Sequence, residues 1–189
     1  MEIGIYILYR FNYLGLALII FNMASGDTSQ ARVLIQQCLS ASLMVKPATE
    51  SNEAEFVHIN RGMIVFVCFM KSATVDTVNK LVKAVSNVKL CEKDDGKYCG
   101  VQDLPGDVLI IPQATLGGRL KGKSMQYHNN VDKELGFQLY EDFVKILEEV
   151  VNTSPKWKES SCKLHHGTYG NRQVLKSDTN GPYSHFIEI

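Results

Sequence analysis

Three stretches of this sequence bring together side chains whose types and spacing could do chemistry. The first, Pro112-Gln113-Ala114-Thr115-Leu116-Gly117-Gly118, leaves an apolar run and opens into a polar one. Gln113 offers a donor and an acceptor, Thr115 a hydroxyl, and the two glycines let a ligand approach backbone N–H groups. Strand ends that open into loops are where layered α/β proteins place ligands. A plain strand-to-loop transition fits the same spacing. The second stretch holds Arg119, Lys121 and Lys123, followed by Met125, Gln126 and Tyr127. Cations beside an aromatic ring suit a single-stranded RNA end, with charge on the backbone and the ring against a base; a solvated charged loop has the same composition. The third, Thr179-Asn180-Gly181-Pro182-Tyr183-Ser184-His185, reads locally as a turn.

The histidines assemble no triad. His165 and His166 fall on opposite faces of one strand, His128 lies in a loop, and His185 is a general-base candidate only if it faces a pocket. No GxSxG elbow or nucleophilic cysteine motif accompanies them. The five cysteines are odd in number and form no CxxC pair, which fits a reduced, cytoplasmic protein. The one close group of possible metal ligands, Cys162 with His165 and His166, lacks paired ligand spacing, so no metal is expected.

These stretches must be held by ordered elements. Ala31–Val45 reads as a long or bent strand. Glu55–Ile59 alternates, and Asn60-Arg61-Gly62 reverses the chain into the apolar run Met63–Met70, which predicts a hairpin whose second strand is covered on both faces. Thr74 caps a helix with Val75, Val78, Leu81, Val82 and Val85 at helical spacing. A short strand near Val88–Cys91, a reversal at Asp94-Asp95-Gly96 and a turn at Pro105-Gly106 precede the buried strand Val108–Ile111. Leu116–Asn130 is expected to be a loop. A second helix spans Lys133–Val151, with Gly136, Tyr140, Phe143, Leu147 and Val150 on one stripe. Strands follow at Cys162–Gly167, Arg172–Lys176 and Tyr183–Glu188. The expected fold is α/β: a single-domain, layered mixed β-sheet with two main helices.

With 189 residues, 45% of them apolar, the chain can bury one good core. Its 20 basic and 20 acidic residues leave no net field for holding long nucleic acid, so any such contact is local. Residues 1–22 differ from the rest: Arg10 splits the apolar run, and neither half reaches the ~18 residues of a spanning helix. They are expected to be an extension outside the fold, with a signal-peptide reading left open, and no membrane association is expected.

Taken together from Ala31 onward, the chain resembles the D-aminoacyl-tRNA deacylase family, and within it the animal-specific branch. The resemblance rests on Val33-Leu34-Ile35-Gln36, Arg61-Gly62, Pro112-Gln113-Ala114-Thr115, Lys121-Gly122, Gly167-Thr168-Tyr169-Gly170-Asn171-Arg172 and Thr179-Asn180-Gly181-Pro182, in that order. It implies a deacylase domain over 23–189 and hydrolysis of mischarged aminoacyl-tRNA. It also implies a homodimer in which Gly181-Pro182 reaches the partner's pocket beside Gln113, Ala114 and Thr115. The 3′-terminal adenosine would dock near Tyr127, with Arg119, Lys121, Lys123 and Asn180 as further contacts to the RNA end. Backbone groups would read the amino acid, the tRNA 2′-OH would assist catalysis, and no cofactor would be needed.

Two departures bear on selectivity. Chirality-selective members carry Ile-Gln-Arg where this chain has Ile35-Gln36-Gln37, and Ala114 replaces a bulkier aromatic residue. Both imply a roomier pocket with relaxed discrimination, a trans bond at Gly181-Pro182, and removal of L-alanine from tRNA-Thr alongside D-amino acids. Two rival readings stand beside this one: a noncatalytic dimer that binds RNA 3′ ends, and an ordinary esterase using His185 or a cysteine.

Overall fold

The chain enters the fold on β1 (Ala31–Cys38), bends at Leu39 and leaves on β2 (Ser40–Lys46). The bend is the expected one, and it passes the chain from one sheet to another. The computed structural model describes residues 29–181 and 183–189, so the expectations for residues 1–22 and for the Gly181-Pro182 bond lie outside the described residues.

The apolar run forms β4 (Gly62–Phe69), the middle strand of a five-stranded sheet. It pairs antiparallel with β1 and parallel with β7 (Asp107–Pro112); β10 (Leu164–His166) lies parallel to β7, and β12 (Ser184–Glu188) antiparallel to β1. Alternate residues of β4 serve two cores. Met63, Val65, Val67 and Phe69 face the two long helices, α1 (Val75–Asn87) and α2 (Lys133–Val151), together with Val33, Ile35, Val108 and Ile110. Ile64, with Leu109 and Ile111 of β7, packs on the other side against Cys38, Ala41, Leu43 and Ile59. The second face is covered by a three-stranded sheet of β2, β3 (Glu55–Ile59) and β11 (Leu175–Asp178), with β2 in the middle. The layers are therefore helices, five strands and three strands. Each fully buried aliphatic side chain in them contributes about 1.5–3 kcal/mol relative to exposure.

The predicted hairpin between β3 and β4 does not form. β3 pairs with β2, in the register Ala41↔Ile59, while β4 sits in the other sheet. The reversal at Asn60–Gly62 is a crossing between layers, fixed by the buried Asp107, whose carboxylate accepts from the backbone N–H of Asn60 at 2.8 Å and of Lys163 at 2.8 Å. A Cβ on Gly62 would run into the backbone of Asp107, so only glycine passes there.

Both long helices lie where their periodicity puts them. At Thr74 the backbone N–H donates to Thr77 Oγ1 at 2.9 Å, closing the α1 N-terminus. Val78, Leu81, Val82 and Val85 are buried as expected, but Val75 is 58% exposed. Asp132 caps α2 by accepting from Glu134 and Leu135 N–H groups. The buried stripe of α2 adds Leu139, Val144 and Val151 to the expected residues and leaves Val150 partly open.

Three smaller elements complete the chain. β5 (Cys91–Glu92) and β6 (Tyr98–Cys99) pair around Gly96, whose φ is +77°. The expected loop at Leu116–Asn130 contains a hairpin, β8 (Arg119–Lys121) with β9 (Ser124–Gln126), turning at Gly122 with φ +62°. A short helix that the periodicity did not announce, α3 (Pro155–Glu159), buries Trp157 against the helical core. All five cysteines are free. Among the described residues no helix is long and apolar enough to cross a membrane.

Candidate functional site

Strand β7 ends at Pro112, and the chain coils at once into a 3-10 turn, Ala114–Gly117. Gln113 N–H donates to the Val67 carbonyl at 2.8 Å, which ties the turn to the end of β4. Three side chains then hold the turn's carbonyls. Asn130 Nδ2 donates to Ala114 O at 2.8 Å, the Cys68 thiol donates to the same oxygen at 3.6 Å, and Arg32 Nη1 donates to Leu116 O at 3.1 Å. With the carbonyls held from behind, the opening amides, those of Ala114 and Thr115, are left without an intrahelical acceptor. The Gln113 side-chain amide donates to the Thr115 hydroxyl, so these two polar groups face each other across the turn.

The turn forms one edge of a cavity of about 750 Å³, which is lined by Gln113, Ala114 and Thr115 on one side and by the segment Tyr169–Gln173 on the other. Phe66, Phe69 and Leu43 give it apolar walls, while Lys133 and Arg172 add positive charge. No histidine is among the described residues that line it. Burial pushes the Cys68 thiol above its ordinary range, against a smaller opposing effect of the Gly117 backbone and Arg32. Burial also raises Tyr169, helped by Cys68 and Asp132, and raises Tyr140 strongly. These groups remain protonated at neutral pH. The cavity can orient a bound molecule and donate hydrogen bonds to it, but among the described residues that line it no carboxylate or imidazole stands ready to take a proton.

Gln113, Ala114 and Thr115, the strand-end residues singled out in the sequence, line this cavity. Arg119, Lys121 and Lys123 are exposed on the β8–β9 hairpin that leaves the same turn. Tyr127 is not among the cavity-lining residues; its ring packs over Gly118, where a Cβ would come within 2.7 Å of Tyr127 Cε1. Tyr169, with Tyr140, Phe66 and Phe69, supplies the aromatic part of the cavity wall. Sequence reasoning gave Tyr169 no role at the site, although Gly167 and Gly170 flank it and Gly170 has φ +79°.

Gln37, Asn180 and Gly181 lie elsewhere. Gln37 N–H donates to Tyr183 O at 3.1 Å, which holds Tyr183 beside the end of β1, and the Gln37 side-chain amide donates to Leu90 O at 3.1 Å. Gln37 pairs with Met63 at the start of β4, whereas the cavity lies at Phe66–Phe69. Three to six residues of strand, about 10–20 Å, separate Met63 from the β4 residues that line the cavity. Gly181 is not among the residues lining the cavity of its own chain.

A five-stranded mixed sheet between two long helices and a three-stranded sheet, with a cavity at a strand end, defines a layered α/β protein. The sequence profile described as D-Tyr-tRNA(Tyr) deacylase matches residues 34–188, and the chain belongs to that family, whose members are hydrolases acting on aminoacyl-tRNA. It is 54% identical to D-aminoacyl-tRNA deacylase 2 of Gallus gallus over 167 residues, covering 88% of this chain and all of the relative. It is 52% identical to D-aminoacyl-tRNA deacylase 2 of Homo sapiens over 168 residues, with the same coverage. Among solved structures it resembles a probable eukaryotic D-amino acid tRNA deacylase, with a TM-score of 0.71 and 25% identity over 85% of this chain and all of that one. It shares the fold of a c-Myc DNA unwinding element binding protein, with a TM-score of 0.69 and 22% identity over 84% of this chain and 98% of that one.

Proposed function

We propose that this protein proofreads translation in the cytoplasm by cleaving the ester between a wrong amino acid and the 3′-terminal adenosine of tRNA. D-Aminoacyl esters and L-alanyl-tRNA-Thr are its substrates. The observation that carries the reading is the composition of the cavity. It offers amides, a hydroxyl and an aromatic wall, yet its titratable groups are a thiol and two phenols pushed further from neutrality, with two cations near them. A reaction run there depends on orientation and on hydrogen bonds to a developing oxyanion, with the proton transfer assisted by the substrate's own 2′-OH. An activated ester is labile enough for that to suffice. The Tyr169 ring offers the adenine a stacking surface. Lys133 and Arg172, and the exposed cations of the β8–β9 hairpin, suit the phosphates of the acceptor end.

The working form is a homodimer. Tyr183 is held at the Gln37 end of β1, about 10–20 Å along the strands from the cavity of the same chain, and Gly181 does not line that cavity, which supports a loop that serves a partner's cavity. The outer face of β1 and β12 supports it too: Leu34 lies opposite Phe186, which is 56% exposed, in a region that the three-stranded sheet leaves uncovered. Room for a small L-substituent comes from Ala114 and from the glutamine at position 37.

The test is steady-state release of amino acid from D-aminoacyl-tRNAs and from L-alanyl-tRNA-Thr side by side, with a third tRNA whose terminal ribose lacks the 2′-OH. Both charged substrates should turn over, and the deoxy substrate should bind but react poorly. Alanine at His128, His165, His166 or His185 should each cost less than about tenfold, and thiol reagents should leave turnover intact. Binding of the normal substrates without release would leave only a module that holds RNA ends.

A further inference from the structure

The Tyr169 ring is gripped by one face of α2. It meets Phe137 edge-on, with centroids 6.1 Å apart, and Tyr140 at a tilt, with centroids 5.7 Å apart. Tyr140 is itself fixed, because its hydroxyl donates to Gly167 O at 2.8 Å and to Ile110 O at 3.3 Å, and so anchors the start of the Tyr169 segment to β7. The third point of the grip is a gap. Gly136 lies in the first turn of α2, where glycine weakens a helix relative to alanine. A Cβ built there would clash with the Tyr169 hydroxyl, and would stand 3.1 Å from Tyr169 Cζ and 2.8 Å from Val131 Cγ1. The glycine is buried on a stripe of large apolar residues, and the tightest contact its missing Cβ avoids is the Tyr169 hydroxyl, ahead of Val131.

We infer that Gly136 is a positioning residue for the deacylase site: the slot left by its missing side chain seats the Tyr169 hydroxyl against α2 and thereby sets the depth and tilt of the ring that walls the cavity. Phe137 and Tyr140 hold the ring's edge and face, and Gly136 sets how far it enters. This inference rests on the reading of the cavity given under Proposed function. A methyl group at position 136 pushes the ring toward the space that the terminal nucleoside occupies. The same methyl is accommodated if the hydroxyl is removed, because it then fills the vacated space, and only the tip of Val131 has to move.

The experiment is a double-mutant cycle on the full-length protein with Gly136→Ala, Tyr169→Phe and the pair, read by thermal melting and by steady-state deacylation. Gly136→Ala should melt lower than wild type despite its better helix propensity, and should raise KM for charged tRNA at least fivefold with kcat changed less than twofold. Tyr169→Phe keeps the ring and removes only the hydroxyl, so its own KM, whatever its offset from wild type, is the reference for the pair. The pair should recover the KM of Tyr169→Phe and melt above Gly136→Ala. An unchanged KM in Gly136→Ala, or a KM rise that Tyr169→Phe does not relieve, overturns the inference. If wild type releases no amino acid from any charged tRNA, the functional reading fails. The melting cycle still decides whether Gly136 and Tyr169 are coupled, and additive melting temperatures would overturn that coupling.

Discussion

Arg32 joins the last strand of the protein to the turn that edges the cavity. Its Nη1 donates to Leu116 O at 3.1 Å while its Nε bonds Glu188 Oε1 at 2.7 Å. The Arg32 side chain is only 15% exposed, whereas Glu188 is 46% exposed, so solvent screens the ion pair more than the bond to the carbonyl. The planar guanidinium spans both partners, which a lysine could not do. Arg32→Met keeps the packing of the stem but frees the Leu116 carbonyl. It should lower kcat/KM about tenfold, the rate equivalent of about 1.4 kcal/mol. Glu188→Gln leaves an acceptor opposite Arg32 and should stay within about threefold. Equal losses in both variants, measured on one charged tRNA, would place the contribution in the ion pair.

The cations of the β8–β9 hairpin are a separate matter, because they hold nothing in place. Arg119, Lys121 and Lys123 are exposed on a hairpin that carries no core residue. Replacing all three with alanine should leave the melting temperature within a degree or two and weaken tRNA binding. Each cation that contacts a single-stranded phosphate contributes about 0.7 to the slope of log K against log salt, so the slope should flatten by about 2 if all three make contact. An unchanged slope would show that the hairpin is merely solvated.

Much of this was legible in the sequence because the signals were local and repeated. The apolar run Met63–Phe69 and the periodic residues of Lys133–Val151 could hardly fold otherwise. The hairpin at Asn60-Arg61-Gly62 was misread because a turn signal says that the chain reverses, not which strand it pairs with. Here the buried carboxylate of Asp107, more than forty positions away, takes the Asn60 amide and sends the two strands into different layers. The β8–β9 hairpin was hidden by strands of three residues each, and α3 by having fewer than two turns, although Ser154 and Pro155 are ordinary signs of a helix start. At the candidate site, the strand-end position of Gln113–Thr115 could be read. Tyr169 could not, since its place depends on a gap at Gly136, thirty-three positions earlier in the chain.

Tyr140 gives the fold a pH dependence of known sign. Its hydroxyl is buried and donates to two carbonyls, and burial, with a smaller effect from Glu141, raises its ionisation far above the ordinary tyrosine range. The folded state therefore keeps this proton while the unfolded chain releases it near pH 10. The contribution is fully present below pH 10 and is lost as the pH rises above it. Tyr140→Phe should cost about 1–3 kcal/mol at pH 7, because two buried carbonyls lose a donor. The gap between wild type and variant should narrow by about 1.4 kcal/mol at pH 11. Urea unfolding at pH 7, 9 and 11 measures it, and a constant gap would mean that the phenol ionises before unfolding. Tyr169, Cys38, Cys68 and Cys91 are shifted upward in the folded state of both proteins and cancel in the comparison.

The last prediction concerns which cavity the Asn180–Tyr183 loop serves. A Cβ on Gly181 would collide with the Tyr183 backbone and come within 2.6 Å of its ring, so Gly181→Ala distorts the loop tip without touching the cavity of its own chain. A Cβ on Gly117 would displace Asn130 from its place behind the 3-10 turn and come within 3.0 Å of Cys68 Sγ, so Gly117→Ala spoils the cavity and leaves the loop alone. If the loop completes the partner's site, each variant alone should lose most of its activity. Mixing the two in equal amounts and allowing subunits to exchange should restore about a quarter of the wild-type rate. Half of the dimers are then mixed by random pairing, and each of those has one site with both an intact cavity and an intact loop. Both variants must first show wild-type circular dichroism and the same assembly state by light scattering. With those controls met, a mixture no more active than its components would mean that loop and cavity belong to one chain, and the dimer would lose its role in catalysis.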